Sequence, residues 1–327
     1  MGKGISVAVK IVQQNCSVIR ATPVYLLLLL NLTLSGCSGV ENKPAPNAKD
    51  PPIRSKQLDD LRADIKRIEP FFKPMGKPKA YDWLGSHNEP GQTFEQYINS
   101  NPTLPTAERR TIFVLPLGKF TAQQKKVIDL TAGYLEAFYG LPVKELSPQE
   151  LKPPSDAKDK RQNPYTKAVQ TRTGYILDTI LTPQLPKDAA ALIALTNVDL
   201  FPDASMYYVF GQASMENRVG VWSLARLDDK TGYDNFLRRT LKIASHETGH
   251  MFGMWHCTKY ECVMSGTNYL GETDSRPIDA CPECMAKVAW LSNVPPKERY
   301  DRLESFCRKN GMTKEAVDFE RKSKAIG

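Results

Sequence analysis

Histidine is scarce in this chain. There are four in 327 residues, and three of them fall between positions 246 and 256. The fourth, His87, stands alone in a segment rich in Pro and Gly. A dense basic run is also missing. The formal net charge is +8, but Lys3, Lys10 and Arg20 precede Cys37 and no acidic residue does, so loss of that segment takes the charge to +5. So mild an excess, spread thinly, gives nucleic-acid binding no support. Long apolar runs are missing too. The run 24–30, extended by Leu32 and Leu34, is too short to span a bilayer but long enough for the core of a signal segment. Hydrophobic residues make up 41% of the chain, somewhat low for a globular protein, which fits one substantial core carrying polar extensions.

The residues that are present concentrate in 246–284. His246 and His250 stand four apart in HETGHMFGMWHC, so on a helix both imidazoles project from one face. Glu247 puts a carboxylate beside any metal that pair holds. Gly253 adopts positive φ at no steric cost, and a turn there brings His256 in as a third ligand with a fourth position open. Three protein ligands and an open position are the catalytic form of a zinc site. Cys257 and Cys262, then Cys281 and Cys284, have a spacing that suits a second, closed zinc site of four thiolates.

This order, HExxHxxGxxHC, then CxM, then CxxC, resembles the archaemetzincin family of metalloproteases. The resemblance covers about 111–291 and assigns Met264 to the Met-turn beneath the catalytic zinc. It implies an α/β (α+β) fold, a metzincin-like twisted mixed sheet with a zinc-binding active-site helix and a four-cysteine zinc subdomain. It implies two zinc ions per chain and a peptide or protein substrate, with cleavage beside a free N-terminus as one form of the activity. Glu247 is then general base and afterwards general acid. Some metzincins add a tyrosine ligand two residues after the Met-turn methionine; Gly266 stands there, so that ligand is absent.

The N-terminus resembles a bacterial lipoprotein signal. Leu34-Ser-Gly-Cys37 matches a lipobox, which makes Cys37 the lipidated first residue of the mature chain. The implied location is the cell envelope, facing the periplasm, with a membrane contact through Cys37. Ser38 is compatible with sorting to the outer membrane. An n-region of more than twenty residues departs from the usual pattern and fits a translation start further downstream.

Four units follow: a signal over 1–37, a tether and N-terminal extension over 38–106, a catalytic domain over 107–293 and a charged helical tail over 294–327. Residues 38–55 read as a tether, extended along the proline-rich stretch 43–52, and 56–68 as a helix. Strands are expected at 111–115, 141–143, 190–195, 207–213 and 219–226. Helices are expected at 120–139, 173–181, 233–252 and after Cys284 to 291, with an exposed loop over 147–166. Residues 207–213 are the candidate edge strand for pairing with an extended peptide. The tail reads as a solvated face. Outside the cytosol disulfides compete with zinc for the four cysteines, and the family pattern favours zinc. Two rival readings stay open. One is a zinc-stabilised lipoprotein that binds peptides or a partner and hydrolyses poorly. The other is a thiol–disulfide protein, although its CxxC has no visible thioredoxin-like setting.

Overall fold

The protein is described by a computed structural model over residues 52–327, so Cys37, the signal and most of the tether lie outside the described residues. Ahead of the sheet come α1 (Pro52–Ile68), α2 (Trp83–Ser86) and α3 (Phe94–Ile98). The expected tether ends in helix, because Pro52 occupies a first turn where its missing N–H is no loss.

Strand β1 (Thr111–Leu117) is buried along all seven residues, as a near-continuous apolar run requires when both faces of a sheet are covered. Its alternation splits two cores. Ile112 and Val114 face one side, Phe113, Leu115 and Leu117 the other. Thr121 and Gln124 form a capping box that starts α4 (Ala122–Tyr139), and the chain returns as β2 (Val143–Glu145). The loop expected over 147–166 is largely that, with a short β3 (Lys160–Gln162) near its end. β4 (Val169–Arg172) leads into a π-helical turn over Tyr175–Leu181, followed by the fully buried β5 (Ala189–Thr196).

β6 (Asp199–Phe201), β7 (Gly211–Ser214) and β8 (Val219–Ser223) complete the strands. The main sheet runs β2-β1-β5-β8-β7, parallel throughout except for β7. A smaller sheet, β3-β4-β6, stands beside it. The expected strand over 207–213 begins later, at Gly211. Before it, Val209 makes an isolated bridge to Leu200. β7 does lie at the sheet edge.

α5 (Tyr233–Met251) packs against β7 and β8 and is buried without interruption from Arg239 to Met251. α6 (Leu270–Ser275) and α7 (Pro282–Ser292) follow. The tail departs from expectation. It forms a hairpin of α8 (Pro296–Lys309) and α9 (Thr313–Ile326), and Tyr300, Leu303, Cys307 and Phe319 are buried in the same core as Leu61 and Phe94 of the N-terminal extension. Many of the charges that suggested a solvated face lie outward in i,i+4 pairs such as Lys297–Asp301 and Lys324–Glu320, while Arg299 and Lys322 are buried.

Candidate active site and metal centres

α5 must end abruptly for three histidines to converge, and Gly253 ends it. Its φ is +80°, its N–H reaches His250 O at 2.9 Å, and the Met254 N–H reaches Gly249 O at 3.0 Å. The turn brings His256 back, and one ring nitrogen from each of His246, His250 and His256 falls within 4.8 Å of the others.

Hydrogen bonds decide which nitrogen each ring offers. His246 Nδ1 lies 2.8 Å from Val263 O and His250 Nδ1 lies 2.6 Å from Met254 O. A carbonyl can only accept, so both Nδ1 atoms carry the proton and both Nε2 atoms keep lone pairs. His256 Nδ1 lies against both oxygens of Glu89, at 3.0 and 2.9 Å, and its buried Nε2 has no partner among the described residues. The Nε2 atoms of His246 and His250 face each other at 2.9 Å. Two lone pairs at that distance repel unless a cation lies against both. Burial pushes His246 down to about 3 and His250 well below the ordinary histidine value, keeping both neutral. The donor set therefore fits a zinc ion held through three Nε2 atoms.

Glu247 is 1% exposed and neither carboxylate oxygen has a partner among the described residues. Burial pushes its carboxyl up to about 8. A cavity opens alongside, lined by Phe210, Ile243, Val263, Thr267 and Arg276 as well as by His246 and Glu247. Met264 packs against α5 at Gly249. A Cβ on Gly249 would come 2.7 Å from Met264 Sδ.

The four sulfurs of Cys257, Cys262, Cys281 and Cys284 also lie within 4.8 Å of one another, with Cys257 and Cys281 3.5 Å apart. All four are buried and none is in a disulfide. Bonds of about 2.3 Å to a tetrahedral zinc would set sulfurs about 3.8 Å apart, so the cluster has the size of such a site. Backbone N–H groups of Met264 and Cys281 point at Cys262 Sγ, at 3.4 and 3.2 Å. Hydrogen bonding from Cys262, then Cys281 and Cys284, holds the Cys257 thiol well below its ordinary value, while burial pushes Cys262 and Cys281 up.

His87 stays out of the triad: its ring stacks on Trp83 at 3.8 Å and its Nδ1 contacts Trp83 O. Sequence reasoning missed the carbonyls of Val263 and Met254, the cavity-lining Phe210 and Arg276, and a group of residues from the N-terminal extension. Trp83 stands edge-on to His256 with centroids 5.1 Å apart, and its ring fills the space where a Cβ on Gly266 would be, 2.4 Å away. Gln92 bonds Gly253 O and the Trp255 N–H. Tyr97 donates to Phe252 O at the end of α5. Residues 73–75 pair with the loop between Cys257 and Cys262 through Met75 N–H to Lys259 O and Glu261 N–H to Lys73 O, both 2.9 Å. Trp83, with His87 and Phe94, reads in the sequence only as cover for a core edge, and Glu89 and Gln92, ordinary residue types, carry no signal beyond their nearness to His87.

The family model for peptidase family M54 matches residues 165–289. The chain is 32% identical to archaemetzincin-2 of Mus musculus over 311 residues, covering 80% of this chain and 86% of that one. It is 32% identical to archaemetzincin-2 of Homo sapiens over 296 residues, covering 77% and 81%. A crystal structure of archaemetzincin from Methanopyrus kandleri superposes with a TM-score of 0.47 at 26% identity, covering 58% of this chain and 97% of that one. Identity at the level of the mouse protein, sustained over four-fifths of the sequence, means that the chain belongs to the archaemetzincin family, peptidase family M54, and is a zinc metallopeptidase.

Proposed function

We propose that His246, His250 and His256 hold the catalytic zinc and that Glu247 is the general base, then the general acid, of peptide-bond hydrolysis. The carrying observation is the buried carboxylate of Glu247, with both oxygens unpartnered, next to three imidazoles whose Nδ1 atoms are engaged and whose Nε2 atoms converge. Zinc held there would supply Lewis acidity toward a peptide carbonyl and water, and a positive charge that would draw Glu247 toward its ionised form. Glu247 takes the proton from the water. Its burial, which raises its affinity for that proton, suits it to deliver the proton to the leaving amine. The cavity beside Glu247 and His246, about 20 Å³, has room for a water-sized molecule next to the carboxylate. Cleavage beside a free N-terminus is the narrower form of this reading, and a peptide library with free and blocked N-termini separates it from internal cleavage.

Cys257, Cys262, Cys281 and Cys284 hold a second, structural zinc in this proposal, with Met264 as the Met-turn. Lipidation at Cys37 then anchors the enzyme in the cell envelope, facing the periplasm, on the outer rather than the inner membrane; the lipobox Leu34-Ser-Gly-Cys37 supports this. Mature protein keeping an N-terminus other than residue 37 and unchanged membrane retention in Cys37→Ser would refute the anchor.

Glu247→Gln tests the chemistry. The variant should keep its zinc, keep its affinity for a non-cleavable peptide analogue and cleave about 10²–10⁴-fold more slowly than wild type. Wild type without chelator-sensitive cleavage across the library, binding a peptide no better than Glu247→Gln does, would leave a binding protein and end the hydrolytic reading.

A further inference from the structure

We infer that Glu89, which lies outside the residues matched by the family model, is a positioning residue of the catalytic zinc site: its carboxylate fixes the ring of His256. The inference rests on the reading that the three histidines hold zinc.

The three imidazoles are not oriented in the same way. His246 and His250 give their Nδ1 protons to backbone carbonyls, Val263 O and Met254 O, each fixed by the chain's own course around the site. His256 gives its proton to a side chain 167 residues earlier in sequence, and both carboxylate oxygens lie within 3.0 Å of it. His256 also stands in the loop after Gly253, beyond the helix that holds the other two in register. Its ring is therefore the one whose direction the helix does not set.

The neighbourhood of Glu89 is built to keep it there. Gly91 has φ +69°, and a Cβ on it would come within 2.3 Å of Thr258 Oγ1, so the backbone here runs directly against the loop carrying His256. One residue on, Gln92 bonds Gly253 O at 3.3 Å and the Trp255 N–H at 3.2 Å, bracketing the turn. The Lys287 ammonium holds Gln92 O at 2.5 Å. Trp83 closes the other side, edge-on to the imidazole, with its backbone N–H on both oxygens of Glu272 at 3.1 Å. An exposed ion pair needs no such bracing. The Glu89 side chain is 27% exposed and that of its partner 3%.

A carboxylate on the far nitrogen of a metal-binding imidazole fixes the tautomer, orients the ring and raises its basicity, and loss of such a group typically costs about 10–100-fold in metal affinity or activity. The decisive measurement is metal release from the full mature chain into a chelator, comparing Glu89→Ala and Glu89→Gln with wild type. Cobalt-exchanged samples separate the two sites, since thiolate charge-transfer bands report the cysteine site and d–d bands the histidine site. Glu89→Ala should release the histidine-held metal about 10–100-fold faster with altered d–d bands, while the cysteine-held metal stays. Glu89→Gln restores an acceptor and should fall closer to wild type. If Glu89→Ala does not fold, Glu89→Met, of similar size and without an oxygen acceptor, takes its place.

Release at the wild-type rate without the acceptor, or equal loosening of both metals, overturns the positioning role. A wild type that binds no metal at the histidines instead sinks the zinc reading itself, so the two failures are distinguishable.

Discussion

Gly249 and Met264 meet so closely that a methyl group on residue 249 would lie 2.7 Å from Met264 Sδ and 2.9 Å from its Cε, with Tyr139 Oη at 3.3 Å. Residue 249 lies between the two helical histidines in sequence, so the absence of a side chain there lets the methionine press against the helix backbone at that point. Gly249→Ala should therefore cost about 1–3 kcal/mol by overpacking, despite the better helix propensity of alanine. Denaturant unfolding measures it, and a variant as stable as wild type would show that Met264 moves aside freely.

Asp279 is the second place where one residue carries a large share. Its carboxylate takes Arg299 at 3.2 Å and Lys322 at 3.0 Å, and all three side chains are no more than 2% exposed. Asp279→Ala leaves two buried cations without their shared anion, and should lose about 3–5 kcal/mol. Loss of less than 1 kcal/mol in denaturant unfolding would mean that water or backbone oxygens replace the carboxylate without penalty.

The two donor clusters should separate by mutation. Elemental analysis should find two zinc ions per mature chain. Cys281→Ser should remove one and lower the melting temperature, because binding energy at a closed site is folding energy. His256→Ala should weaken the other and leave the domain folded. Loss of both metals together from either variant would mean that the clusters are one cooperative unit.

Arg238 of α5 pairs with Glu315 of α9 at 2.6 Å. Burial, the largest single influence, raises the Glu315 carboxyl, but the Arg238 hydrogen bond, a backbone hydrogen bond and the charges of Arg238 and Lys314 together hold the group below its ordinary 4.5. A carboxylate with a depressed folded pKa contributes stability that is fully present above the unfolded value and lost as pH falls through the folded one. The stability advantage of wild type over Glu315→Gln should thus be constant from neutrality down to about pH 5 and shrink below 4.5. A gap that does not vary with pH would assign the effect to packing.

The convergence of the three imidazoles was legible because its residues are rare types within one short segment, and local rules connect them: i,i+4 spacing for His246 and His250, positive φ at Gly253. The buried strands at 111–117 and 189–196 were legible for a similar reason, as continuous apolar runs. Glu89 was hidden because its partner lies 167 residues away and nothing in its own segment has a period. The tail misled differently. Arg299 and Lys322 read as solvent-facing by residue type, yet each is buried against Asp279, and only the fold reveals that anion. The late start of β7 follows from the isolated bridge at Val209, where the backbone pairs with Leu200 and not with β8.

The route from Lys322 to the first histidine has a consequence for how the protein is made. Lys322 holds the Asp279 carboxylate, Asp279 O takes the Val263 N–H at 3.0 Å, and Val263 O takes the proton of His246. From the other end of the described chain, Glu89 holds His256. A ribosome that has finished α5 has therefore delivered two histidines but neither the carbonyl that orients His246 nor the lysine that settles the loop behind it. Long-range contacts of this kind form late and slowly. A hydrolase wired in this way stays unarmed while it is being synthesised, and a chain cut short before α9 lacks the last support its cutting edge depends on.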